Sequence, residues 1–365
     1  MSDQMPYQID YRRHGFVDAS SIALASAGFA TIETDNISEA ASEGNMPSLS
    51  GATAWLNSEP LTATALRGHV VLVNFWTYTC INWLRTLPYV RAWAETYRDK
   101  GLVVLGVHTP EFPFEHNIEN VRQAVKAMRV AYPVAVDSDY AIWNAFSNHF
   151  WPALYLFDID GQIRHHHFGE GDYARSEIMI QRLLAEAGNT SFSVGDALVS
   201  GSVVAQGIEA DADWSDLETP ETYLGYERAD HFASPENMAG GGGHVYTAPA
   251  RLRQNQWALA GDWTVGPQAA VLTTANGRIA CQFHARDLHM VLGPASPGAS
   301  ARFRVLLDGQ TAGAAHGVDT NEQGDGTVTE QRLYQLIRQP QPIGDRRFEI
   351  EFLDPGVAAF AFTFG

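Results

Sequence analysis

The stretch HVVLVNFWTYTCINWLRTLPYVRAWAETYRDK (69–100) constrains the chain more than any other. HVVLVNFW (69–76) is apolar on both of its faces, as a strand covered on both sides of a sheet must be. Past Cys80 the apolar positions Leu84, Leu87, Val90, Trp93 and Tyr97 recur at three- and four-residue steps, predicting one helix over 80–99. A doubly buried strand that runs straight into an amphipathic helix requires a layered α/β architecture. Pro88 falls inside the helix and should kink it. Cys80 sits at the junction, where unpaired backbone N–H groups and the helix dipole favour a thiolate. Its pKa is therefore expected below the ordinary ~8.5.

The alternation continues. GLVVLGVHT (101–109) reads as a strand, NIENVRQAVKAMRV (117–130) as a helix, YPVAVD (132–137) as a strand and YAIWNAFS (140–147) as a short helix. ALYLFD (153–158) and QIRHHHF (162–168) flank a turn at Asp160-Gly161, and a last helix over 173–187 stops at Gly188. The α/β domain is expected over 48–190. Trp151-Pro152, just ahead of the hairpin, is compatible with a cis peptide. Residues 191–250 form a connecting segment, acidic at GIEADADWSDLETPET, with GGGG (240–243) marking a mobile loop. Over 251–365 only strands with period two remain, separated by Gly, Pro and Asp turns, which predicts an all-β sandwich.

Composition narrows the function. A net charge of −18, from 42 acidic against 24 basic residues, argues against binding nucleic acid or an anionic membrane face. Cys80 and Cys281 are the only cysteines, so there is neither a disulfide framework nor a C-x-x-C pair for zinc or a dithiol cycle. No apolar run of spanning length occurs. Residues 1–47 read as an N-terminal arm or a twin-arginine-like export signal: Arg12 and Arg13 precede an Ala/Ser-rich stretch, although Asp18 interrupts it.

The strand–Cys–helix unit with Pro88, and the loop at Pro152, resemble the active-site geometry of a thioredoxin fold. The extra strand–helix unit between 101 and 137 resembles its TlpA-like, peroxiredoxin-related branch. PSLSGATAWLNSEPLTATALRGHVVLVNFWTYTCIN, LRTLPYVRAW, GVHTPEF, IRHHHFGEGDY, PETYLGYERADHFASPE and the β-rich tail are similar to the soluble C-terminal half of DipZ-type proteins, over about residues 47–365. Those proteins join a CcdA-like membrane electron carrier to a thioredoxin-like domain and a β-sandwich similar to carbohydrate-binding modules. The resemblance thus implies a periplasmic or otherwise extracytoplasmic redox protein, with a CcdA-type carrier as reductant and a glycan as further partner. The family pattern C-I-N-C stands here as Cys80-Ile81-Asn82-Trp83, and Asn74 replaces the usual aspartate of the preceding strand. The second thiol and the acid that serves it are both missing.

Cys80 is accordingly the candidate catalytic residue, with Thr79, Ile81, Asn82, Trp83, Trp151 and Pro152 as its active-site loops and Glu111 as candidate proton acceptor. An indole cannot attack sulfur, so a mixed disulfide on Cys80 would wait for an external thiol. The substrate would be a protein bearing a disulfide or a sulfenic acid, and no cofactor is called for. A non-catalytic peptide- or glycan-binding protein is the alternative reading. A one-cysteine peroxidase is the third, from the Thr77-x-x-Cys80 spacing, although Val73 stands where that motif wants proline. Cys281 alternates with Ile279 and Phe283 and reads as core, as do Trp257, Trp263 and Tyr334 in preference to sugar-stacking roles. His165 and His167 share a strand face but lack a third ligand, so no metal is expected.

Overall fold

The computed structural model describes residues 44–365 apart from 192, 196 and 239. The reading of the N-terminal arm as an export signal lies outside the described residues. Backbone packing divides the chain into two compact units. One takes the chain up to Trp76 with Ala92–Thr109 and Tyr132–Gly201; the other takes Thr77–Arg91, Pro110–Ala131 and Ser202–Gly365.

The first unit holds a six-stranded mixed sheet. Its strands are β1 (Ala54–Leu56), β2 (Val70–Trp76), β3 (Leu102–His108), β4 (Val134–Val136), β5 (Ala153–Phe157) and β6 (Ile163–Phe168), in spatial order β1-β4-β3-β2-β5-β6. β2, β3 and β4 are parallel, whereas β5, β6 and β1 join antiparallel. Every residue of β2 is buried, as its apolar run requires. Phe75 packs edge-on against Trp143, Phe146 and Tyr155. The chain also forms helices α1 (Ile81–Tyr97), α2 (Ile118–Ala127), α3 (Ala141–Ala145) and α4 (Tyr173–Glu186); α1 contains Pro88 and passes from one unit to the other after Arg91.

The second unit is dominated by one curled antiparallel sheet, the sandwich of the sequence reading. Its strands are β7 (Thr222–Tyr223), β8 (Gly243–Tyr246), β9 (Trp257–Val265), β10 (Ala270–Leu272), β11 (Gly277–Phe283), β12 (Asp287–Pro294), β13 (Ala301–Leu307), β14 (Gln310–Thr311), β15 (Asp325–Val328), β16 (Arg332–Arg338), β17 (Arg346–Phe352) and β18 (Val357–Phe364). The main path runs β14-β13-β17-β11-β9-β10-β18-β12-β16. Strand β9 joins the two halves, pairing β11 through its first residues and β10 through its last. The core between them takes Trp257, Trp263, Met290, Tyr334, Ile350 and Phe362. Here the GGGG loop differs from expectation: its last glycine opens β8, which pairs with β9.

On the opposite face of this sheet His289 lies level with Gln335 of β16 and Thr363 of β18, and all three are buried. The first half of α1 lies there: the buried Arg85 donates Nη2 to the Phe364 carbonyl at 3.0 Å. A turn at Pro113–His116 adds the Phe112 and Phe114 rings against Phe360. The Phe364 carbonyl is thus met by the Arg85 guanidinium, and Phe360 by two phenylalanine rings.

Candidate functional site

After Trp76 the chain makes a tight turn, with Cys80 N donating to the Thr77 carbonyl, and the Cys80 carbonyl accepts the first helical bond of α1 from Leu84 N. Cys80 therefore caps the helix. Its sulfur accepts the backbone N–H groups of Asn82 and Trp83, the second and third residues of the helix, as a capping side chain does.

The electrostatic balance at the thiol is the reverse of the one expected. Part of Cys80 stays open to solvent, yet the packing around its sulfur is close enough that burial pushes the thiol well up from its ordinary value. The carboxylates of Glu111 and Glu221 push it further the same way. The two N–H donors pull it down but do not prevail. Helix-terminus stabilisation is a local effect of modest size, whereas desolvation and two like charges act on the same atom together.

Within the same unit, Ile81 and Trp83 are buried, Trp83 completely, and Asn82 is half-buried. The indole that stands for the second cysteine is thus a packing element of α1. Thr79, 1 % exposed, donates its hydroxyl to Oε1 of Glu115 at 2.6 Å. Glu115 was not foreseen. It is fully buried, and its Oε2 accepts the N–H groups of Glu111 at 2.6 Å and Phe112 at 2.9 Å. Burial nevertheless pushes its carboxyl up to about 7, against the hydrogen bonds it accepts. The signal was legible: Pro113 opens the turn and a glutamate follows at its third position, the acidic half of a capping box.

Glu111, the candidate proton acceptor, has Oε1 engaged by the Tyr223 hydroxyl at 2.7 Å and by Arg228 Nη2 at 3.0 Å. The Arg228 guanidinium also stacks on the Tyr223 ring, 3.2 Å from its centroid. Neither residue was singled out in the sequence, because both lie more than a hundred positions from the glutamate they hold.

Trp151 and Pro152 belong to the other unit. Their peptide bond is cis, Trp151 Nε1 donates to the Thr109 carbonyl at 3.1 Å, and its ring packs 4.3 Å from that of Trp143. In the same unit Asn74 is buried and its amide reaches the Ala153 carbonyl at 3.4 Å, a donor role that an ionised aspartate could not fill. His165 faces Ser176, and burial lowers its imidazole to about 4. His166 stacks on Phe168, and His167 lies near the Glu170 carbonyl. Among the described residues no group of three or more His, Cys, Asp or Glu is arranged to hold a metal. Nor is any helix among them long and apolar enough to cross a membrane.

Cys281 lies in β11 between Trp257 of β9 and Phe348 of β17, 4 % exposed, and burial pushes its thiol far up. Trp257, Trp263 and Tyr334 are each 1 % exposed or less and have no face to offer a sugar ring.

Residues 41–178 match the Redoxin family, and residues 219–365 match the family described as a thioredoxin-like C-terminal domain. Protein DipZ of Mycobacterium tuberculosis, like that of Mycobacterium bovis, is 33% identical over 360 residues, covering 96% of this chain and 46% of DipZ. The chain therefore spans about half the length of those relatives. The thiol-disulfide oxidoreductase YkuV of Bacillus subtilis is 33% identical over 39% of this chain and 95% of its own length. A solution structure of a thioredoxin-like protein in the oxidized form is 34% identical, covers 39% of this chain and 95% of that one, and superposes with a TM-score of 0.36. The chain belongs to the family of thioredoxin-like thiol–disulfide oxidoreductases, as a relative of the C-terminal half of DipZ.

Proposed function

We propose that the protein exchanges thiols and disulfides through Cys80 alone. Cys80 attacks a disulfide or a sulfenic acid on a protein substrate, and an external thiol then releases the mixed disulfide. The observation that carries this reading is the placement of the Cys80 sulfur on the backbone N–H groups that open α1, with part of the residue open to solvent. Cys281 supports it by its position in the sandwich core, where it is unsuited to resolve the intermediate. A thiol pushed upward is scarce as thiolate but strong as a nucleophile, and it leaves slowly. The expected behaviour is slow capture and long retention. A peroxidase would want a standing thiolate at neutral pH, which the two neighbouring acids oppose. Trp151 and Pro152 are carried as the substrate-facing loop. The division into 48–190, 191–250 and 251–365, an extracytoplasmic location and a CcdA-type carrier as reductant also belong to this proposal, by kinship with DipZ.

The test is adduct formation in a Cys281→Ala background. With excess hydroxyethyl disulfide, one mixed disulfide per chain should form, be reversed by dithiothreitol and be lost with Cys80→Ser. No adduct at any pH between 6 and 10 would sink the reading.

A second reading has its own support. The upward push on the thiol and the burial of Trp83 suit a non-catalytic, peptide-binding descendant of the fold. In that case Cys80→Ser retains binding to unfolded protein while the adduct never forms. Glycan binding lacks such support, since the aromatic candidates are buried.

A further inference from the structure

Asn74, in the strand ahead of the redox loop, brings no carboxylate and spends its amide on a carbonyl. A carboxylate is nonetheless buried beside the redox loop. Glu115 arrives from the turn after β3 and binds the loop through the residue directly before Cys80. Three short hydrogen bonds reach it, two of them from the backbone of its own turn, so its position is fixed. Two threonine hydroxyls of the redox loop are directed at it, those of Thr77 and Thr79, and Thr79, at 2.6 Å, is the one that directly precedes Cys80.

Glu111 has a different task. Its carboxylate is held by Tyr223 and Arg228 and contributes charge, while its backbone N–H helps to hold Glu115. The two glutamates are thus linked in series.

We propose that Glu115 is a positioning residue for the Cys80 thiol and acts on it through the Thr79 hydroxyl. While Glu115 is ionised, Thr79 must donate to it and has no proton for any other group. Once Glu115 is protonated, its own O–H can donate to Thr79, whose proton is then free to serve the loop that carries the sulfur. Ionisation of Glu115 and ionisation of Cys80 therefore oppose each other. The inference rests on the exchange reading above. In that exchange Cys80–SH and R–S–S–R′ give Cys80–S–S–R and R′–SH: the Cys80 proton ends on the departing sulfur, and Glu115 gains and loses nothing overall.

The titratable and charged groups that face Glu115 are few. They are Tyr78 from the redox loop, whose phenol burial and then the Glu115 charge push up, and Glu111 from its own turn. Arg228 and Glu221 lie beyond Glu111; α2 offers the neutral Asn120 and β18 the ring of Phe360. Of the carboxyls of this group only Glu115 has no exposed surface, and it is pushed up to about 7; Glu221 is pushed up as well, to about 8, by desolvation and by the charge of Glu111, so Glu115→Gln is the change that tells the two apart.

The experiment is the rate of iodoacetamide alkylation of Cys80 between pH 5 and 10 in the Cys281→Ala protein. The expected profile has two steps, a lower one near pH 7 and a higher one for the thiol. Once corrected for thiolate fraction, the rate should change about tenfold across the lower step, the equivalent of one pKa unit. Glu115→Gln should remove the lower step. Thr79→Val, which keeps the shape and deletes the hydroxyl, should remove it as well, while Thr79→Ser should restore it. A lower step that survives either of the first two changes, or a parent profile with a single step, overturns the proposal. Carboxyl NMR of the parent gives a readout that needs no variant: a glutamate titrating near pH 7 is required, and its absence overturns the proposal too. Adduct formation with hydroxyethyl disulfide separates the two ideas. A lower step without adduct upholds Glu115 and sinks the exchange, and an adduct with a single-step profile does the reverse.

Discussion

Cys80 and Cys281 both have thiols that burial pushes upward, yet they stand in opposite surroundings. Cys281 is one more apolar side chain in a strand, flanked by Trp257 and Phe348. Cys80 follows the turn after β2 and caps α1, receives two N–H donors, faces two acids and keeps part of its surface open. The contrast teaches that thiol acidity alone does not mark a reactive cysteine. Access and directed donors distinguish the two, and those follow from where the chain changes from strand to helix.

The largest effect that tests this contrast is selectivity. Brief alkylation of the native protein at pH 9 should label Cys80 at least about 10³-fold faster than Cys281, which becomes accessible only when the sandwich opens. Peptide mapping by mass spectrometry reads the ratio, and comparable labelling would erase the distinction. Next in size is Trp83→Cys. Emptying a fully buried indole site should cost about 3–5 kcal/mol in a denaturant melt. The same change should bring insulin-reducing activity that the parent lacks, and an inert, well-folded variant would show that more than one residue separates this chain from a dithiol enzyme.

A pH effect comes third. The Glu115 carboxyl lies near 7 in the fold against an ordinary 4.5, so the folded protein holds a proton that the unfolded chain has shed. Its share of stability is complete below pH ~4.5 and declines by about 3 kcal/mol as the pH rises to ~7. Paired melts of the parent and Glu115→Gln should differ by that slope; parallel curves would remove Glu115 from the account. The smallest effect is at the silent cysteine. Cys281→Ser should cost about 1–3 kcal/mol for burying a hydroxyl, with no change in the rate of adduct formation at Cys80.

Period-two and period-three-to-four patterns fixed most elements to within a residue or two: 69–76 against Val70–Trp76, 173–187 against Tyr173–Glu186. What escaped was short or polar. The three residues of β1 find their place only by pairing with β4, and the two of β7 only by pairing with β18. The same logic divides the candidate site. Cys80 at a helix start, Pro88 inside it and the buried Cys281 are local readings. The direction in which the Cys80 thiol moves is set first by packing that no periodicity reports, and then by Glu111 and by Glu221, far along the chain. Glu115 sits in the turn FPFE, where Pro113 and a glutamate at the third position mark a capping turn, but its burial and its bond to Thr79 of the redox loop are not local signals.

The hydrogen bond from Arg85 to the Phe364 carbonyl joins residues 279 positions apart. Synthesis at ~5–20 residues per second leaves roughly 15–60 s between the appearance of the redox helix and that of the strand which receives its guanidinium. For that interval the nascent chain carries Cys80 on a helix whose docking surface does not yet exist. Contacts of such sequence separation form late and slow folding. The start of α1 therefore reaches this partner only after the strand that ends at Phe364 has been made.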